Sequence, residues 1–105
     1  MSLIGANAPE ALGDGIRFSE FDLAGAKAPF EASCFIVAPG VTTDPDRHAV
    51  REIWFIASGA AEVYVDEQSY QVKAGTALLF QPQQVHRLDN SGTEPVRVFS
   101  VWWSP

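Results

Sequence analysis

From Ile16 onward, apolar residues fall into short runs rich in β-branched and aromatic types, separated by Gly, Pro, Asn and Asp. Runs of that length and composition suit extended strands, whose side chains alternate between two faces. They predict strands at Ile16–Leu23, Phe30–Ala38, Arg51–Ser58, Ala61–Asp66, Ser69–Lys73, Ala77–Gln81, Val85–Asp89 and Val96–Trp103. Turns are expected between them at Pro39-Gly40, Ser58-Gly59, Asp66-Glu67-Gln68, Ala74-Gly75, Pro82 and Asn90-Ser91-Gly92. The stretch AVREIWFIA also admits a helical reading, but its Ile53-Trp54-Phe55-Ile56 block better suits a strand covered on both faces. Many short strands without a competing helix exclude a parallel α/β fold and predict an all-β antiparallel sandwich or barrel. Residues Met1–Gly15 have no periodicity and read as an N-terminal arm ahead of a single domain at 16–105.

Alternation also raises a question of cover. Ile53 and Phe55 alternate with Trp54 and Ile56, and Val98, Phe99, Val101, Trp102 and Trp103 make the last strand apolar on both faces. One face of each strand belongs to the core, so the other predicts a homodimer interface drawn from Ile53, Phe55, Phe99, Val101 and Trp103 or from their alternates, in preference to packing by the arm. Glu62 and Tyr64 alternate with Val63 and Val65 and are expected to face outward.

A chain of 105 residues holds one core and no separate cofactor lobe. With hydrophobic residues at 47% and charged residues at 19%, disorder is excluded. The net charge of −6 repels phosphate backbones and anionic lipid, so neither nucleic acid nor membrane is an expected partner. Apolar runs are far short of a membrane span and no signal-peptide pattern opens the chain, which predicts a cytoplasmic location. The single cysteine, Cys34, excludes an internal disulfide and a thiolate zinc cluster, and its SCFIV setting predicts an inert buried strand position.

Polar chemistry concentrates in two stretches, PGVTTDPDRHAVREIWFIASG with Asp46, His48 and Glu52, and GTALLFQPQQVHRLDN with His86. On a strand, Asp46 and His48 would share a face with Cα atoms about 6.5–7 Å apart, which suits two ligands of one metal. His48 and Glu52 would lie about 13 Å apart on a straight strand, so joint ligation requires a corner near Ala49–Arg51. The plainer alternatives are an exposed strand-end His48, a loop His86 bonded to backbone, a Glu52 paired with Arg51 or Arg87, and an Asp46 that serves the turn after Asp44-Pro45. Arg47, Arg51 and Arg87 are each offset by one from these positions and should point to the opposite face. Gln81 and Gln83 precede His86 at the expected mouth of the barrel.

The two stretches resemble the paired motifs of the cupin superfamily of small jelly-roll barrels. The first motif reads Gly40, five residues, Asp46, one residue, His48, three residues, Glu52, six residues, Gly59, with Asp46 where the family has a histidine. In the second, Gly75, His86 and Asn90 keep the family's intervals, while Gln81 replaces its proline and Gln83 its second glycine. The resemblance implies an antiparallel double-stranded β-helix, or jelly-roll barrel, with one divalent metal (Fe, Mn, Ni or Zn) bound by His48, Glu52, His86 and Asp46. The shorter Asp46 carboxylate would bind the metal, or act as an outer acceptor or general base. An ion with open positions suits a mononuclear metalloenzyme acting on an oxygenated small molecule by dioxygenase, isomerase or cyclase chemistry. Interior aromatics from Trp54 and the Phe99–Trp103 strand would line its pocket. The alternative is a non-catalytic binding or sensing cupin with a weakened metal site. No helix pair for DNA binding accompanies the barrel.

Overall fold

A computed structural model describes residues 1–105. The chain forms β1 (Glu10–Ala11), β2 (Ile16–Glu20), β3 (Glu31–Val37), β4 (Arg51–Ser58), β5 (Ala60–Val65), β6 (Gln68–Lys73), β7 (Ala77–Phe80), β8 (His86–Asp89) and β9 (Val96–Trp103). There is no helix, and therefore none long and apolar enough to cross a membrane. Two antiparallel sheets face one another, ordered β1-β2-β3-β9-β4-β7 and β6-β5-β8. The β4 and β9 limits match the sequence expectation, whereas the first predicted strand stops at Glu20, with Phe21 held by an isolated bridge to Ala6 and by its N–H to the Ala32 carbonyl at 3.0 Å.

Alternation decides what each sheet buries. Val37, Trp54, Ile56, Phe80, Val96 and Val98 of the larger sheet meet Ala61, Val63, Val72 and Leu88 of the smaller one. The β4–β5 turn depends on Gly59, at φ 83°, because a Cβ there would lie 2.5 Å from the Pro95 carbonyl oxygen. Asn90, fully buried, closes the turn after β8. Its amide donates to the carbonyls of Val37 at 3.0 Å and Glu94 at 2.9 Å, and its Oδ1 accepts from the Gly92 N–H at 3.1 Å.

On the outer face of the larger sheet, Phe55 lies opposite Phe99 and Ile53 lies between Val101 and Leu79. Phe55 is 46% exposed and Leu79 52%, while Phe21 stacks on Phe99 at 6.2 Å. Phe21, just past β2, thus covers part of the apolar outer face. The N-terminal segment extends the sheet through the β1–β2 pairing, with the Asn7 N–H donating to the Glu20 carbonyl at 2.8 Å. Glu62 and Tyr64 face away from the core, and the Arg87 guanidinium lies 3.9 Å from the centre of the Tyr64 ring.

Candidate metal centre

The segment between β3 and β4 is not a regular strand. It runs beside β8, bridged at Thr42–Asp89 and Asp46–His86. The Asp46 N–H donates to the His86 carbonyl at 2.9 Å and the His86 N–H to the Asp46 carbonyl at 2.8 Å. Further along, the Gln83 N–H donates to the His48 carbonyl at 2.7 Å. These backbone bonds tie the two polar stretches together. The chain bends at Ala49–Val50, so Glu52 enters β4 beside His48 rather than a full strand length away. That bend is the corner required by the His48–Glu52 spacing.

The result is a converging donor set. Glu52 Oε1 lies 3.6 Å from His86 Nε2 and 4.0 Å from His48 Nε2, and one donor atom from each of the three residues lies within 4.8 Å of the others. Glu52 is buried, its Oε2 accepts a short hydrogen bond from the Ser100 hydroxyl, and its Oε1 has no hydrogen-bond partner. The His86 Nδ1 faces the Gln84 carbonyl at 3.2 Å. Because a carbonyl can only accept, that contact places the proton on Nδ1 and leaves the Nε2 lone pair directed at the cluster. Phe80 stacks on the His86 ring at 4.4 Å and Trp54 meets it edge-on at 5.3 Å, which fixes the plane of the imidazole.

Asp46 sits outside this triangle. Its Oδ2 is 3.4 Å from His48 Nε2, its Oδ1 accepts from the Arg47 N–H at 2.8 Å, and its side chain is 63% exposed. The His48 side chain is 42% exposed, so the cluster opens to solvent on that side.

A cavity of about 830 Å³ reaches the cluster. Its apolar walls come from Leu12, Ile16, Phe18, Phe35, Trp54 and Trp102, and its polar rim includes Glu20, Asp44, Asp46 and Arg47. Apolar walls with a few convergent polar groups are the usual construction of a small-molecule site.

The family model described as a cupin domain matches residues 33–102, which contain all three converging donors. This chain is a cupin. A cupin 2 conserved barrel domain protein from Salinispora arenicola has a TM-score of 0.80 at 30% identity, covering 90% of this chain and 80% of that one. A predicted oxalate decarboxylase from Thermotoga maritima has a TM-score of 0.82, covering 92% of each chain, and at 15% identity that likeness is one of fold alone. The mannose-1-phosphate guanylyltransferase RfbM of Salmonella typhimurium is 32% identical over 69 residues, which are 65% of this cupin and 14% of that much longer protein.

Several sequence expectations need correction. Arg47 lines the cavity, because its segment is irregular and strict alternation does not apply there. Arg51 and Arg87 do turn elsewhere, toward Gln81 Oε1 at 3.4 Å and the Tyr64 ring, so neither pairs with Glu52. Parity on β9 gives Trp102, and not Phe99 or Trp103, to the cavity. Cys34 is only partly buried, since it alternates with the inward Ser33 and Phe35. Burial nonetheless pushes its thiol pKa up, against the opposing pull of Arg97. Gln83, in the place of the motif's second glycine, adopts φ 68°. The sequence reading missed Ser100, although its mark is visible as the one hydroxyl in the inward series Val96, Val98, Ser100, Trp102. It also missed Leu12, Ile16 and Phe18 as cavity walls, because a wall residue reads like any other apolar position.

Proposed function

We propose that this cupin binds one divalent metal through His48, Glu52 and His86 and acts on an oxygenated small molecule held in the adjoining cavity. The observation that carries the reading is Glu52 Oε1, a buried carboxylate oxygen without a hydrogen bond that faces two imidazole nitrogens. Left unpaired, such an atom is costly to bury, and a cation is the partner that suits it. Two imidazoles with one carboxylate fit Fe(II), Mn(II), Ni(II) or Zn(II). When bound, such an ion supplies Lewis acidity and open positions for substrate oxygens. The chain's own part is to hold His86 in one tautomer through Gln84, to exclude water with Trp54, Phe35 and Trp102, and to present Asp46 as a proton acceptor beside His48. The reaction class is that of dioxygenases, isomerases or cyclases that work on carbonyl, enol or related groups.

The test is elemental analysis of protein purified without chelator or an affinity metal. About one equivalent of metal is expected, with loss in folded His86→Ala and a smaller loss in Asp46→Ala. Unchanged metal content in folded His86→Ala overturns the assignment. One observation favours a second reading as a ligand-binding or sensing cupin. The exposed Asp46 carboxylate replaces a fourth imidazole, leaving a more open and weaker site. Tight ligand binding that persists without metal, with no turnover under any of the four ions, would select it.

We also propose a cytoplasmic homodimer that covers Ile53, Phe55, Phe99, Val101 and Trp103. The apolar outer face, on which Phe55 and Leu79 are exposed beside Ile53 and Phe99, supports the dimer.

A further inference from the structure

Resting on the metal reading above, we infer that Ser100 is a positioning residue that makes Glu52 a one-oxygen ligand. On β9 the inward side chains are Val96, Val98, Ser100 and Trp102, and Ser100 is 1% exposed. A hydroxyl in that series must find an acceptor, because a buried polar group without one destabilises the fold. Across the strand pair Glu52 stands opposite Trp102, and Ser100 stands opposite Trp54, so Ser100 and Glu52 are diagonal neighbours on the inner face. The hydroxyl donates to Glu52 Oε2 over a short distance.

That bond divides the carboxylate into two unequal halves. Oε2 is committed to Ser100, while Oε1 remains bare between His86 Nε2 at 3.6 Å and His48 Nε2 at 4.0 Å. The bond fixes the plane of the carboxylate with Oε1, not Oε2, foremost toward the imidazoles, so Glu52 would meet a metal there through one oxygen and leave a coordination position for substrate. Groups that orient a ligand in this way commonly change metal affinity by one to two orders of magnitude.

The experiment compares the wild type with Ser100→Ala, Ser100→Thr and Ser33→Ala. Ser33 is the cross-strand partner of Ser100, equally buried, and makes no bond to Glu52. Zn(II) affinity is measured by competition with a chromophoric chelator, and the Co(II) visible spectrum reports coordination. Ser100→Ala should bind Zn(II) about tenfold more weakly and shift the Co(II) spectrum. Ser100→Thr, which keeps the hydroxyl, should stay near wild type, and Ser33→Ala should match wild type. Wild-type affinity and spectrum in Ser100→Ala overturn the inference, as does an equal loss in Ser33→Ala. If Ser100→Ala does not fold, isotope-edited infrared spectra of Zn(II)-loaded wild type decide. Carboxylate stretches of one-oxygen ligation support the inference and those of two-oxygen chelation overturn it. A wild type that binds no Zn(II) or Co(II) removes the metal reading itself, an outcome distinct from all of these.

Discussion

At residue scale, the chain separates reactive groups from inert ones by which way they face. His48, Glu52 and His86 converge on the cavity, whereas Cys34 lies on the opposite face of β3 with its thiol pKa raised by burial. A raised pKa means less thiolate at neutral pH, and the thiolate is the nucleophile. Alkylation of Cys34 by iodoacetamide is therefore expected to be slower than that of an unstructured cysteine peptide, with its pH–rate midpoint displaced upward. Kinetics at a series of pH values check this, and a midpoint at or below the peptide's would refute it. His48, Glu52 and His86 were legible as a candidate donor set through the resemblance of their two stretches to the cupin motifs, and the corner that joint ligation by His48 and Glu52 requires near Ala49–Arg51 is met by the bend at Ala49–Val50. Arg47 was not legible. Its facing depends on two backbone bridges between distant segments, and local alternation carries no trace of those.

At the scale of elements, strand register transmits the turns. Gly59 sits where β4 passes into β5, and any side chain there meets the Pro95 carbonyl in a left-handed backbone conformation. Gly59→Ala should destabilise the barrel by about 1–3 kcal/mol from the backbone strain alone, read as a lower midpoint in urea. An unchanged midpoint would refute it. Strands β4 and β9 were legible to the residue because their apolar runs are long and end at clear punctuation. The ends of β2 and β8 were less so, since Phe21 and Val85 carry strand-like side chains where the regular ladders have given way to single bonds. Pairing is decided by the neighbouring strand, which local composition does not contain.

For the molecule as a whole, the sheet has two apolar sides and only one interior. In the proposed dimer, Phe55→Glu places a charge where a partner must pack, while the 46% exposed side chain leaves the isolated barrel free to fold. Light scattering should give the dimer mass for wild type at tens of micromolar and the monomer mass for Phe55→Glu, with both proteins retaining the same β-sheet circular dichroism. A monomeric wild type would refute the dimer.

The cavity draws on two parts of the chain. Every converging donor lies within residues 33–102, the span that matches the cupin family, but Leu12, Ile16, Phe18 and Glu20 form their share of the wall from upstream of it. Of these, Ile16 also packs against the core and pairs with Val37 on β3, whereas Leu12 and Glu20 are exposed and carry no core contact. A change of side chain at Leu12 or Glu20 would therefore redraw one wall of the cavity while every metal donor keeps its place.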